Sequence, residues 1–515
     1  MHILPQPKKF VKVNGTFCIT DDTRMFADAA FADEARRFAD AVEACCGFTL
    51  QFADAIEDAQ IIFDRNDKYL PEQYFLMISN GVATITCNDD AGCFYAVETL
   101  CQLLDLDVPQ EIPACENCYI EDAPLFSHRG LMFDVCRHFF GVDTVKKIID
   151  LMARNKLNRL HLHLSDDQGF RVQIDKYPLL TSVGGVREGS EVFKNGVRCV
   201  DDVPHSGYFT KDDIAEIVAY AKKHKIEVIP EIDLPGHAVA MLAAYPQYSC
   251  LAHPMEVRKK WGISKDILCA GNDETIKFVQ DITDEICEMF PYEYIHLGGD
   301  EAPKDRWCNC PLCKARLADL KLADFDDLQT WFVEQIRSHL QQKGKKVICW
   351  NDGLRQNANS DIVCQFWVGK LKNGAKFANE GRKVIMSPFF HMYFDYPYAM
   401  TPLAKTHRFN ALKGVKRTAK DNVLGVEGTL WTEWIADEDK LFFNLLPRIN
   451  ALGECGWGTK CVKFGLYVKE RFALYEKLGL CHNRHIRTGN LFARTAEVRK
   501  FFKKDPNAEM DKLKS

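Results

Sequence analysis

The chain of 515 residues is 47% apolar and 27% charged, a balance that supports a large core and more than one folding unit. Its 66 basic against 72 acidic side chains leave a net charge of -6, with no long basic run, which argues against nucleic acid or an anionic membrane as the main partner. No apolar stretch approaches the ~20 residues a spanning helix requires, and the N-terminus, MHILPQPKKF, lacks the apolar segment of a secretory signal, so a cytoplasmic location is expected.

Residues 1–122 mix β-like runs at 60–63 and 82–86 with helix-like stretches at 31–45 and 91–104, an α+β pattern of domain size. They hold no cluster of acid, base and nucleophile, so a packing or positioning role is expected there. From about residue 125 the rhythm changes. Strand candidates at 126–135, 157–165, 226–233, 292–299, 346–351, 362–368, 383–390 and 423–431 alternate with helical patterns. One helix carries Val142, Val145, Ile148, Ile149 and Met152 as a stripe, with Asp143 placed to cap it; another opens on Thr210 with Asp213 three residues on. Eight such units predict an α/β fold, a closed (β/α)₈ barrel spanning 123–460. Pro230 removes a ladder donor from the third strand, which predicts a local irregularity. The connection from 170 to 207 is long for a barrel loop and is expected to be functional. In 461–515, Tyr467, Phe472, Leu474 and Leu478 predict a helix packed on the barrel, followed by a polar, frayed end from about Lys503.

Barrel chemistry belongs at the C-terminal ends of the strands. Those ends carry Asp166 and Asp167; Glu231, Asp233 and His237; Asp300 and Glu301; Trp350; Trp367; Tyr393 and Asp395; and Trp431 and Glu433. Carboxylates and aromatics crowding one rim predict a polyhydroxylated ligand, gripped by the acids and stacked on the rings. The sharpest motif is Tyr294-Ile295-His296-Leu297-Gly298-Gly299-Asp300-Glu301. A glycosidase needs a protonated carboxyl to donate to the leaving oxygen and a second group to attack or stabilise the anomeric carbon. Neighbouring residues leaving a strand point different ways, so Asp300 and Glu301 are poorly placed as two opposed carboxyls. One can be the acid while the other handles a different part of the substrate.

Several motifs, taken in order, resemble glycoside hydrolase family 20, the β-N-acetylhexosaminidases. They are Arg129-Gly130 with Asp134-Val135 and Arg137-His138-Phe139; the run from His161 to Arg171; the run from Pro230 to His237; the Gly-Gly-Asp-Glu run; and Trp431-Thr432-Glu433. The resemblance implies a substrate-assisted retaining mechanism, in which the sugar's own 2-acetamido oxygen attacks the anomeric carbon. Glu301 then matches the general acid/base, Asp300 the group orienting the acetamide, and Tyr393 the hydroxyl holding its oxygen. Trp350, Trp367 and Trp431 match the aromatic box. Arg129, Asp166, Asp395 and Glu433 match groups binding the sugar hydroxyls, with Asp166 chosen over Asp167. His237, Asp233 and His296 match residues supporting the site. Trp350 is followed by Asn351-Asp352-Gly353, a departure from the family pattern that puts contacts beyond the terminal sugar in doubt.

The implied partner is an oligosaccharide or glycoconjugate ending in β-linked N-acetylhexosamine. GlcNAc against GalNAc, linkage and oligomeric state stay open. A relative specialised for a disaccharide or a sulfated aminosugar is the nearest alternative, and a non-catalytic aminosugar-binding protein a more distant one. No cofactor is expected. The 21 cysteines read as mostly reduced thiols. Cys115-x-x-Cys118 and Cys308-x-Cys310-x-x-Cys313 lie far apart in sequence, whereas zinc wants four ligands in paired knuckles. They are read as surface-loop thiols or an occasional disulfide, with no metal.

Overall fold

The computed structural model describes residues 3–194 and 197–484. The N-terminal part is a seven-stranded mixed sheet in the order Lys9–Cys18, Ala114–Asp122, Tyr74–Ser79, Val82–Cys87, Ile61–Arg65, Arg24–Ala27 and Gln51–Phe52. Two helices, Ala32–Cys46 and Asp90–Leu103, pack together on it. The second is buried on nearly every side because it lies between the sheet and the barrel. Its N-terminus is capped by Asp89, which accepts the Gly92 N–H at 2.8 Å.

Eight parallel strands close the barrel: His128–Asp134, Arg159–His163, Glu227–Glu231, Tyr294–His296, Lys346–Trp350, Val363–Phe366, Val384–Met386 and Val423–Leu430. Each falls inside a stretch expected from the sequence. Pro230 does not break the third strand, which stays in register with the second through the Pro230–Leu162 pair. The irregularity falls on its other side. There Ile232, not Pro230, donates to His296, and the ladder to the fourth strand shrinks to the pair Glu231–His296, because Pro230 has no N–H to give.

Two expectations need correction. The helix Val142–Arg154 is capped from Gly141 with no side-chain cap, and Asp143 sits inside its first turn, where it opposes the helix dipole's positive end instead. The fifth connection has no α-helix, only a 3₁₀ turn at Asn351–Gly353, since residues 354–361 carry no apolar stripe to bury. The capping box on Thr210 and Asp213 is present.

The barrel interior is layered. Ile229, Ile348, Val363 and Ile385 form an apolar floor. Above it lies a polar layer. Glu231 accepts from His163 and, at 2.8 Å, from Trp350 Nε1, and lies 3.1 Å from His161 Nε2 and 2.9 Å from His296 Nδ1, which itself accepts the Gly298 N–H. Glu427 bonds His128 at 2.7 Å, His161 at 2.9 Å and Gln365 at 2.6 Å. Burial opposes charge on His161, but the two glutamates outweigh it and raise its pKa to about 9. These histidines are thus committed to carboxylates.

The helix Phe464–Lys477 packs through Phe464 and Val468 against Leu403 and Ala451, and bonds Tyr475 to Asn450. The expected frayed end beyond Lys503 lies outside the described residues.

Candidate active site

Register sets the frame of the rim. Asp134 pairs with His163, His163 with Glu231 and Glu231 with His296, so four strands deliver polar residues at one level. Beyond that level the chain turns sharply. Gly298 and Gly299 take φ of +60° and +97°, and a Cβ on Gly298 would collide with Asp233, so only glycine admits this approach. Asp233 Oδ1 accepts the Gly299 N–H at 3.0 Å, which fixes the direction in which the next two residues leave.

Asp300 and Glu301 diverge in environment. Asp300 is 8% exposed, and its Oδ1 is buried with no protein partner. Burial, the opposing pull of His237, and the push of Asp352 and Glu301 together raise its pKa to about 7. The Glu301 side chain is 25% exposed and its own N–H is held by Asp352 at 3.1 Å. A cleft of about 350 Å³ beside it is lined by Glu301, Lys304, Asp326, Gln329 and Asp352. His237 Nε2 lies 3.7 Å from both acids and its Nδ1 lies 3.3 Å from Asp166. Despite burial, Asp166 holds this imidazole cationic well above its usual range.

Aromatic rings wall the space opposite. Trp350, Tyr393 and Trp431 form one buried cluster with Met132, Phe389 and Met400, with Trp367 packed against it. Tyr393 and Trp367 stack at 6.1 Å with 25° between planes, and Trp350 and Trp431 lie 6.0 Å apart. Tyr393 joins the eighth strand through a backbone bridge to Thr429. Burial, and then Asp300, push its phenol pKa up, so it is a hydroxyl donor at neutral pH. Asp352 Oδ1 accepts Trp367 Nε1 at 2.7 Å, and Asn351 accepts the Trp367 N–H at 2.7 Å. The Asn-Asp pair that departs from the family pattern therefore props one wall of the site.

A third group follows the ends of the first, second, seventh and eighth strands. Arg137 pairs with Asp166 at 2.7 Å, Asp134 at 3.2 Å and Glu433 at 3.6 Å, and lies over the Trp431 ring at 4.9 Å. Burial opposes charge on Asp166, but Arg137 and His237 hold its carboxyl well below the usual range. Burial lifts Glu433 to about 7 and raises Asp395 well above the usual carboxylate range, with Asp395 Oδ1 left without a protein partner. Asp167 turns away: it accepts the Val239 N–H at 3.1 Å and Arg258 at 3.0 Å.

Arg129 is the expectation the structure overturns. It lies at the opposite end of the first strand, fully buried, giving its guanidinium to Glu72 and Tyr95 of the N-terminal part at 2.7 and 2.8 Å. It cannot reach the rim. Arg137, three residues past the strand end, holds the rim position instead; the rule that barrel chemistry sits at strand C-termini was the signal that could have found it. The long 170–207 connection braces that arginine from behind. Arg187 donates to Arg137 O at 2.6 Å, Arg171 to Cys136 O at 2.8 Å, and His205 Nε2 accepts the Phe139 N–H at 2.9 Å. Asp352, Asp134 and Glu231 also belong to the site; the sequence shows them near strand ends but assigns them no role.

The cysteines fall differently from expectation. None of the 21, all among the described residues, is in a disulfide. Cys115 and Cys118 lie in the N-terminal sheet and Cys308 is exposed. Cys310 and Cys313, however, meet Cys250 and Cys269 in one four-sulfur cluster.

Residues 126–460 match the catalytic domain of glycosyl hydrolase family 20 and residues 1–123 match domain 2 of the same family. The chain belongs to glycosyl hydrolase family 20. It is 36% identical over 484 residues to a beta-hexosaminidase of Porphyromonas gingivalis, covering 89% of this chain and 60% of that protein's length. It is 34% identical over 426 residues to a beta-hexosaminidase of Akkermansia muciniphila, covering 79% of this chain and 84% of the relative. Among solved structures, the exo beta-N-acetylglucosaminidase of Vibrio harveyi, in complex with N-acetylglucosamine, superposes with a TM-score of 0.84 at 25% identity. It covers 94% of this chain and 78% of that one. A mutant Streptomyces plicatus beta-hexosaminidase in complex with product (GlcNAc) gives 0.80 at 29%, covering 94% and 96%.

Proposed function

We propose that this chain is an exo-acting retaining β-N-acetylhexosaminidase, releasing terminal non-reducing GlcNAc or GalNAc by substrate-assisted catalysis. The observation that carries the reading is Asp300. It is a buried carboxylate with an unpartnered oxygen, close enough to the Tyr393 phenol to shift it, and Tyr393 packs with the indoles of Trp350, Trp367 and Trp431. That is a receptacle for an amide: Asp300 accepts its N–H, Tyr393 donates to its oxygen, and Trp350, Trp367 and Trp431 enclose its methyl. Held so, the acetamide oxygen attacks the anomeric carbon from within the substrate and displaces the aglycone. Positive charge grows on the amide as the oxazolinium ring forms, and ionised Asp300 stabilises it where the charge appears.

Glu301 protonates the departing oxygen, then deprotonates the water that opens the ring, returning the starting anomer. The cleft beside it gives the aglycone a way out. Arg137, Asp166, Asp395 and Glu433 bind the hydroxyls of the terminal sugar, with Arg137 in the place the resemblance gave to Arg129. His237 orients both acids, Asp233 the glycine turn, and His296 the Glu231–Trp350 pair. The GlcNAc held by the Vibrio and Streptomyces relatives supports this choice of sugar. A cytoplasmic location goes with this reading, on the 21 cysteines of the sequence taken as mostly reduced thiols.

Hydrolysis of a panel of aryl β-glycosides tests the reading: GlcNAc, GalNAc, glucose, unacetylated glucosamine and 6-sulfo-GlcNAc. Turnover is expected for the acetamido sugars alone, with the β-anomer released first. Binding of GlcNAc without turnover of any substrate would make the protein a lectin-like relative; preference for the 6-sulfo sugar would move it to the sulfated specialists.

A further inference from the structure

The four-sulfur cluster has the geometry of a metal site. Cys250 and Cys313 sulfurs lie 3.8 Å apart, Cys269 and Cys310 3.8 Å, and Cys269 and Cys313 3.6 Å, and all four lie within 4.8 Å of one another. A disulfide would need about 2.05 Å between sulfurs. Four thiolates around zinc at about 2.3 Å form a tetrahedron whose edge is that bond times √(8/3), about 3.8 Å. The three separations match that edge.

The backbone delivers the ligands as two pairs. Cys310 is the N-cap of the helix Pro311–Asp319 and Cys313 lies in its first turn, so a Cys-Pro-Leu-Cys knuckle sits where helix N–H groups and dipole favour thiolate. Cys250 and Cys269 flank a β-bridge between Ser249 and Leu268, which sets two arms of the loop after the third strand side by side. The Gly271 N–H is directed at Cys269 sulfur. A Cβ on Gly271 would collide with the backbone of Leu312 and Cys313, so the two segments are packed backbone to backbone. Cys269, Cys310 and Cys313 are buried and Cys250 is half-buried. Elsewhere in the barrel the histidines find carboxylates, His163 bonding Glu231 and Asp166 and His161 bonding Glu427; thiols are weak hydrogen-bond partners, and this quartet is joined side chain to side chain by sulfur–sulfur contacts.

We infer that Cys250, Cys269, Cys310 and Cys313 hold one structural zinc ion, closing the loop after the third strand onto the loop that carries Asp300 and Glu301. Four S–H protons leave as four Zn–S bonds form, and no electrons move. Four protein ligands leave no open position, so the metal positions and does not catalyse. The link matters to the site because Trp307, tied to Leu268 O at 2.9 Å, lies on the same short segment between Glu301 and the knuckle. The inference rests on the quartet and stands whatever the substrate proves to be.

The test is metal analysis of the full chain, purified without chelators, by native mass spectrometry and elemental analysis. A single zinc per chain is expected, retained in Cys308→Ser and lost in Cys269→Ser and in Cys313→Ser together with a lower melting temperature. Cys250→His, which keeps a zinc ligand, should retain metal where Cys250→Ser does not. Because serine variants can fail to fold, the wild-type chain should also be loaded anaerobically with Co²⁺, giving the intense visible absorption of a tetrahedral thiolate complex. A wild-type chain without zinc that takes up neither zinc nor cobalt would overturn the inference. So would iron in place of zinc, or a disulfide between any two of the four cysteines after thiol trapping at lysis.

Discussion

The two ends of the barrel bury the same kinds of side chain and do opposite things with them. At the N-terminal end Lys156, fully buried, donates to Tyr74 and Thr99 at 2.8 Å each and to Asp122 at 3.3 Å. Arg129 gives its guanidinium to Glu72, Tyr95 and two carbonyls, and Trp457 Nε1 reaches Asp122 at 2.8 Å. Every donor has an acceptor within the protein, and the result is a joint that fastens the N-terminal sheet to the barrel. At the C-terminal end Asp300 and Asp395 keep a buried oxygen with no protein partner, and Asp300 and Glu433 are lifted to about 7. Residue type alone does not separate a joint from a site; the unsatisfied remainder does.

The largest effects should come from the two acids. Glu301→Gln should cost about 10²–10⁴-fold in kcat on substrates with poor leaving groups. The loss should be smaller with an activated aryl aglycone, whose departure needs less protonation. Equal losses on both would take the role of acid away from Glu301. Asp300→Asn should lower kcat far more than it raises KM, because the charge it meets develops only as the ring closes.

The two arginines put the contrast between the ends on trial directly. Arg137→Met should lower kcat/KM by about 10- to 100-fold, the weight of a charge-assisted hydrogen bond. Arg129→Met should leave kcat/KM of the folded enzyme within a few-fold. It should instead depress the melting temperature, since breaking a buried ion pair typically costs about 3–5 kcal/mol. Reversed outcomes would exchange joint and site.

The pH profile sharpens the same point. Asp300 must be ionised to meet the amide, so kcat/KM should fall on the acid side with a midpoint near 7. His237, held cationic by Asp166, lowers the Asp300 pKa; removing that charge in His237→Gln should move the acid limb to higher pH. Glu433 is also raised to about 7, but the charge that pulls it down is Arg137, so an unmoved limb would assign it to Glu433. Smallest of all, Asp352→Asn keeps one acceptor oxygen where two now serve Trp367 Nε1 and the Glu301 N–H, and losing one of those two hydrogen bonds should cost less than about 10-fold in kcat/KM.

Much of this is legible in the amino-acid sequence alone. Eight strand positions follow from apolar runs bounded by turn residues, and the rim follows from the rule that places chemistry at strand ends. What escaped was three-dimensional closure. Arg129 and Arg137 belong to one motif, and only the strand's direction shows that eight residues carry the chain from one end of the barrel to the other. Alternation could not choose between Asp166 and Asp167, because the choice is made by His163, Arg137 and His237 on one side and Arg258 on the other. The four-cysteine cluster was hidden for the same reason. Cys250 and Cys269 carry no paired spacing, and they meet Cys310 and Cys313 only through a loop-to-loop contact.

The central claim is that the substrate supplies its own nucleophile, and a series of aryl β-glycosides whose acetamido methyl carries zero, one, two or three fluorines tests it most directly. Fluorine draws electrons from the amide carbonyl while barely changing its shape, so the pocket of Trp350, Trp367, Trp431 and Tyr393 should still admit each member. If the carbonyl oxygen attacks the anomeric carbon, kcat/KM must fall steeply with each fluorine added. A flat series, or a covalent glycosyl adduct trapped on any carboxylate of the rim, would contradict the account.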